Sequence, residues 1–131
     1  ITCRDWSSDV CSSDLFRRVH INELDPEDFA FIPPKIFHEI EGGISVDWEK
    51  YSTPEASKQR AKNPEFICIA AIQASKVRSL EALDVKHAPS IANRAHSNII
   101  GLNLAAKAKR TKIRLKLAEY AHWAYNRYLK E

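Results

Sequence analysis

Glycine occurs only three times in the 131 residues, and none of the glycine-built phosphate motifs is present. There is no Walker-type loop, no dinucleotide fingerprint and no Gly-x-Ser-x-Gly elbow. No apolar run approaches the roughly 20 residues that a spanning helix needs. The three cysteines, Cys3, Cys11 and Cys68, are too few and too scattered for a disulfide framework or a zinc pattern. His38-Glu39 lacks a second histidine four residues on, so no zinc helix is present and neither metal nor cofactor is expected. What is present is ordinary for a globular chain: 44% apolar and 28% charged residues, with 20 Lys and Arg against 17 Asp and Glu. Collagen-like, disordered and disulfide-scaffold classes are excluded, and the length suits one domain.

The first fifteen residues differ from the rest. Asp5 to Leu15 resembles one reading frame of a common DNA-sequencing adapter over all eleven positions. Its serines and aspartates show neither a helical nor an alternating apolar pattern. Residues 1–15 are therefore expected to be non-native or disordered, with one compact domain over 16–131. That body holds 19 basic and 14 acidic residues, a net charge of +5, and one cysteine. A single thiol in an apolar run, Phe66 to Ala70, fits core packing and a reducing, cytoplasmic compartment.

Strand patterns are expected at Phe16–Ile21, Ile44–Trp48, Phe66–Ile72, Leu80–His87 and Ala95–Ile100. Ser52-Thr53-Pro54-Glu55 starts a short helix, with a hydroxyl cap and proline at its first position, running to about Ala61. Leu104 to Leu129 has no glycine or proline and is expected to form one long helix. Its apolar side would carry Ile113, Leu117, Tyr120, Ala121, Ala124 and Tyr128. These elements give an α+β class: a small mixed or antiparallel sheet, a short helix, and a long C-terminal helix across one face.

Two constellations carry possible chemistry. Lys107, Lys109, Arg110, Lys112, Arg114 and Lys116 place six cations in ten residues with no acid between them. Such a face attracts nucleic acid or an acidic protein partner, and Trp123 and Arg127 on the same side would add stacking and charge. The bland reading is a solvated helix face. The second set is polar and lies on strands: Arg18 and His20, Ser45 and Asp47, and His96, with His87 before the Ala88-Pro89 bend. If they converge, an arginine clamp beside a histidine would suit a small enzyme acting on a phosphate-containing substrate. Otherwise they are exposed strand faces. Oligomeric state is open, since Trp48, Trp123 and the Tyr125–Tyr128 end could cover this core or a second copy.

From Phe16 onward the chain resembles a group of small uncharacterised bacterial proteins. The residues concerned are Arg17-Arg18-Val19-His20, Ile44-Ser45-Val46-Asp47, and Asn93-Arg94-Ala95-His96-Ser97 leading to Gly101. A further likeness is to ADP-ribosyltransferase-like domains. It implies that Arg18 or His20 on the first strand and Ser45 on a later one hold a nicotinamide dinucleotide. No Ser-Thr-Ser run follows Ser45, and no residue is marked as the catalytic glutamate, for which Glu81 and Glu119 are candidates by default.

Overall fold

A computed structural model describes residues 13–40, 43–80 and 83–128. Among these residues six strands form one sheet in the order β4-β5-β2-β1-β3-β6, and every neighbouring pair is antiparallel. The strands are β1 (Asp14–His20), β2 (Gly43–Trp48), β3 (Ile67–Gln73), β4 (Asp84–His87), β5 (His96–Ile100) and β6 (His122–Tyr125). Three α-helices accompany them among the described residues: α1 (Pro54–Gln59), α2 (Ala74–Arg78) and α3 (Lys107–Tyr120). The class is α+β with an antiparallel sheet.

Strand alternation divides the side chains between two faces. On one face Leu15, Val19, Ile44, Val46, Trp48, Cys68, Ala70, Ile72, Val85 and Ile99 form the main core. The turn at Pro34–Ile36 and helix α3 cover this face, with Phe37 and Leu117 fully buried beneath them. On the other face Phe16, Ile67, Ile69 and Ala71 form a smaller core, packed by Ala61 just after α1. Helix α1 begins as its sequence dictates: the Thr53 side chain accepts from the Ala56 N–H, and Pro54 occupies the first turn. It ends at Gln59, and it packs over β1, β3 and β6. On the β2–β5 part of that second face Ser45, His96, Asn98 and Ile100 remain partly exposed.

Four expectations need correction. First, the strand expected from Phe16 begins at Asp14. Asp14 pairs with Gln73, and Leu15 pairs with both Ile72 and Trp48 at 0% exposure. Leu15 extends the alternation of Arg17 and Val19 by one step, so the sheet takes it whatever its origin; residues 1–12 lie outside the described residues. Second, the strand expected from Leu80 is only Asp84–His87, and helix α2 precedes it. Third, the long helix stops at Tyr120. Ala121 turns extended (φ −82°, ψ 156°), and His122–Tyr125 pairs with β3 as an edge strand. No glycine or proline marks that stop; the open edge of β3 offers ladder hydrogen bonds to a segment rich in aromatics, which favour strands.

Fourth, Trp123 and Arg127 consequently leave the basic helix face. The Trp123 indole N–H donates to the Ala30 carbonyl at 2.9 Å, and an Arg127 guanidinium N–H donates to the Glu65 carbonyl at 2.8 Å. Of the apolar side expected for α3, Ile113, Leu117 and Tyr120 pack on the core, whereas Ala124 is exposed and Tyr128 stacks on Phe29 at 4.1 Å. Among the described residues Cys68 is the free cysteine. It is buried against the main core, and burial pushes its thiol pKa up.

Candidate functional site

The polar residues on the second face separate into two groups. The first is centred on Asp47, which is 0% exposed. Its Oδ2 accepts from Arg18 Nη1 at 2.9 Å and from Arg60 Nη1 at 3.1 Å. Its Oδ1 accepts from Asn93 Nδ2 at 2.8 Å. Arg60 also donates to Ser52 Oγ at 2.8 Å, and the Ser52 and Ser57 hydroxyls lie 2.8 Å apart. Burial pushes the Asp47 carboxyl up. Hydrogen bonds from Ser57 and Asn93 and the two guanidiniums outweigh it, so the pKa falls below its ordinary 3.8. Sheet, helix α1 and the loop before β5 are tied together at this carboxylate. Its acceptor capacity is filled, which fits a structural role.

The second group lines an open cleft of about 340 Å³ on the β2–β5 surface. Its walls are Arg17, His38, Ile40, Gly43, Ser45, His96, Asn98 and Ile100. The register explains the convergence: Gly43, Ser45 and Asp47 face Ile100, Asn98 and His96 in turn across β2 and β5. Gly43 also has a steric reason to be glycine, because a Cβ there would meet the Asn98 side chain at 3.2 Å.

Arg17 reaches the cleft through a defect in the sheet. β1 pairs with β3 along seven residues, but with β2 only at Leu15↔Trp48 and Phe16↔Asp47. Beyond those two positions the strands part, and Arg17 spans the opening. Its Nε donates to the Ile36 carbonyl at 3.0 Å, its Nη1 to the Ser45 carbonyl at 2.7 Å, and its Nη2 to His38 Nε2 at 3.3 Å. A guanidinium only donates, so His38 accepts through Nε2, which also lies 3.8 Å from Glu23 Oε2. Arg17 has no carboxylate within ion-pair distance among the described residues. Burial draws its pKa below the usual arginine value, opposed by the Glu23 charge and aided by that of Arg18.

The five strand residues expected to meet are thus only partly brought together. Ser45 and His96 share the cleft. Arg18 and Asp47 are paired to one another beside it. His20 sits at the far end of β1, opposite Ile67, where its Nδ1 accepts from the Asn22 N–H and caps the following turn. His87 is structural: its Nε2–H donates to the Arg94 carbonyl at 2.8 Å, and its ring stacks on Tyr51. Glu119 is exposed on α3 and lies 3.4 Å from Lys116, and Glu81 lies outside the described residues. Sequence reasoning missed Arg17, His38 and Asn98. For Asn98 the signal was available, since it alternates with His96 along the same strand.

The basic run lies on α3. Lys107, Lys109 and Lys112 are exposed and, among the described residues, form no ion pair; Lys116 meets Glu119. Arg110 turns back to the Ala105 carbonyl at 2.9 Å, and Arg114 donates to the Phe37 carbonyl at 3.3 Å. Among the described residues no three His, Cys, Asp or Glu side chains gather to hold a metal, and no helix is long and apolar enough to cross a membrane. Compared with protein-family models, curated proteins and solved structures, the chain matches none.

Proposed function

We propose that this chain is a binding module whose basic helix contacts nucleic acid, with an acidic protein surface as the other anionic partner of matching chemistry. The observation that carries this reading is the charge arrangement of α3. Its first two turns present Lys107, Lys109 and Lys112 to solvent, hold no acidic residue, and start at Ala106 without a side-chain cap. Cations at a helix N-terminus oppose the macrodipole by about 0.3–1 kcal/mol each. A face tuned only for helix stability would carry acids there, so these charges act on something outside the helix. The residues concerned are Lys107, Lys109 and Lys112, supported by Arg110 and Lys116; Trp123 and Arg127 belong to another surface.

The enzyme reading through Arg18, His20, Ser45, Asp47 and His96, on a phosphate-containing or dinucleotide substrate, is less favoured by the geometry. It needs those five side chains at one point, and they are not. The test of the module is binding of a short single-stranded oligonucleotide at several salt concentrations. The expected result is a linear fall of log affinity with log salt. Changing Lys107, Lys109 and Lys112 together to glutamine is expected to reduce that slope by about 2, for three lost phosphate contacts on a single strand. Binding indifferent to salt, or unchanged in the triple variant, overturns the proposal.

A further inference from the structure

We propose that the cleft between β2, β5 and the parted end of β1 binds a small phosphomonoester. This site is separate from the lysine face of α3, and neither proposal depends on the other.

The argument starts from what the side chains there have left to do. Arg17 carries five N–H donors, and three serve Ile36, Ser45 and His38, which leaves two. His96 Nδ1 faces the Ala88 carbonyl at 2.9 Å, which can only accept, so Nδ1 carries the proton and Nε2 is left as the ring's other polar atom. Among the described residues no partner engages His96 Nε2, the Ser45 hydroxyl or the Asn98 carboxamide. The three belong to adjacent positions on two paired strands and share one cavity with the guanidinium.

The sign of the site follows from its lining. Among the described residues it contains a half-buried guanidinium, two imidazoles, a hydroxyl and an amide, and no carboxylate. That set favours an anion with several acceptor oxygens. A phosphomonoester offers three terminal oxygens, enough to meet Arg17, Ser45 and Asn98 at once, with Nε2 of His96 available to accept from a protonated one. A carboxylate offers only two. The remaining walls, Ile40 and Ile100, are apolar, so the occupant also has a small organic part. A volume of about 340 Å³ lies at the lower end of ligand pockets, which excludes a dinucleotide as a fully enclosed guest.

The experiment is a titration of the whole chain, followed by amide chemical shifts and by calorimetry. The probes are glycerol 3-phosphate, inorganic phosphate and malonate, a dicarboxylate that carries like charge. The expected result is saturable binding of glycerol 3-phosphate, with shifts centred on Ser45, His96 and Asn98. It should weaken at least tenfold in Ser45→Ala/Asn98→Ala, a variant that removes no side-chain hydrogen bond among the described residues. The same binding should persist when Lys107, Lys109 and Lys112 are glutamine. Any of four outcomes overturns the proposal: no saturable binding, malonate or inorganic phosphate binding as tightly as the ester, full affinity in the double variant, or affinity lost with the lysines.

Discussion

Asp47 and Ser45 stand two residues apart on one strand and face the same way, yet their surroundings are opposites. Around Asp47 both carboxylate oxygens are engaged: two arginines, an asparagine and a pair of hydroxyls close on one buried group. Around Ser45 the Ser45, Asn98 and His96 side chains converge without bonding to one another, and the nearest charge, Arg17, forms no ion pair among the described residues. The reason is the reach of α1. That helix covers β1, β3 and β6 and brings Arg60, Ser52 and Ser57 down onto Asp47, but it does not extend over Ser45 and Asn98. The comparison separates two meanings of a polar cluster. A saturated one holds the fold together, and an unsaturated one is available for a ligand.

The sharpest way to break the comparison is to remove the carboxylate. Asp47→Ala leaves Arg18 and Arg60 unpaired next to the smaller core and should cost about 3 kcal/mol, the low end for a broken buried pair because both arginines reach water. Denaturant unfolding measures it, and a loss below about 1 kcal/mol would show that Asp47 does not hold sheet, helix and loop together. The pH dependence follows from the direction of its shift. A carboxyl whose folded pKa lies below its ordinary 3.8 stabilises the fold in full above that value, and the contribution is lost as the pH falls through the folded one. In Asp47→Asn that acid-limb loss should be smaller than in the parent chain.

A second change addresses the start of β1. Leu15→Ala opens a hole among Ile72, Trp48 and their neighbours and should destabilise by about 2–5 kcal/mol, the range for buried leucines. If melting is unaffected, Leu15 is not part of the strand and β1 begins later. The smallest effect is expected in the cleft. Ser45→Ala and Asn98→Ala should each change stability by no more than about 0.5 kcal/mol, since neither side chain bonds to a partner among the described residues. A large loss in either would show that the cleft is built as tightly as the Asp47 cluster, and the contrast would fail.

Much of the sheet is legible in the sequence because period-two alternation survives in single strands. Ile44 to Trp48 and Ala95 to Ile100 read correctly, as do the apolar run that becomes β3 and the Thr53-Pro54 helix start. What is not legible depends on pairing between distant segments. The end of α3 at Tyr120 is set by the free edge of β3, some fifty residues earlier in the chain, and nothing local marks it. Helix α2 has five residues, too few for a helical period to show. The site is legible by half. Ser45 and His96 stand out by their chemistry and do share a cavity. Arg17 does not stand out, because alternation assigns it to the core face, and only the early parting of β1 from β2 lets it serve the cleft.

That parting also bears on the mechanics of the whole sheet. Two paired positions, Leu15↔Trp48 and Phe16↔Asp47, are all the ladder that joins a ribbon of β4, β5 and β2 to a ribbon of β1, β3 and β6. The sheet is in effect two three-stranded leaves stitched at one corner, with the Arg17 guanidinium as a bolt across the gap and Arg60, just past the end of α1, as a second fastening. Opening fluctuations should therefore start along this seam, and backbone amide exchange in β2 should run ahead of exchange in the seven-residue pairing of β1 with β3.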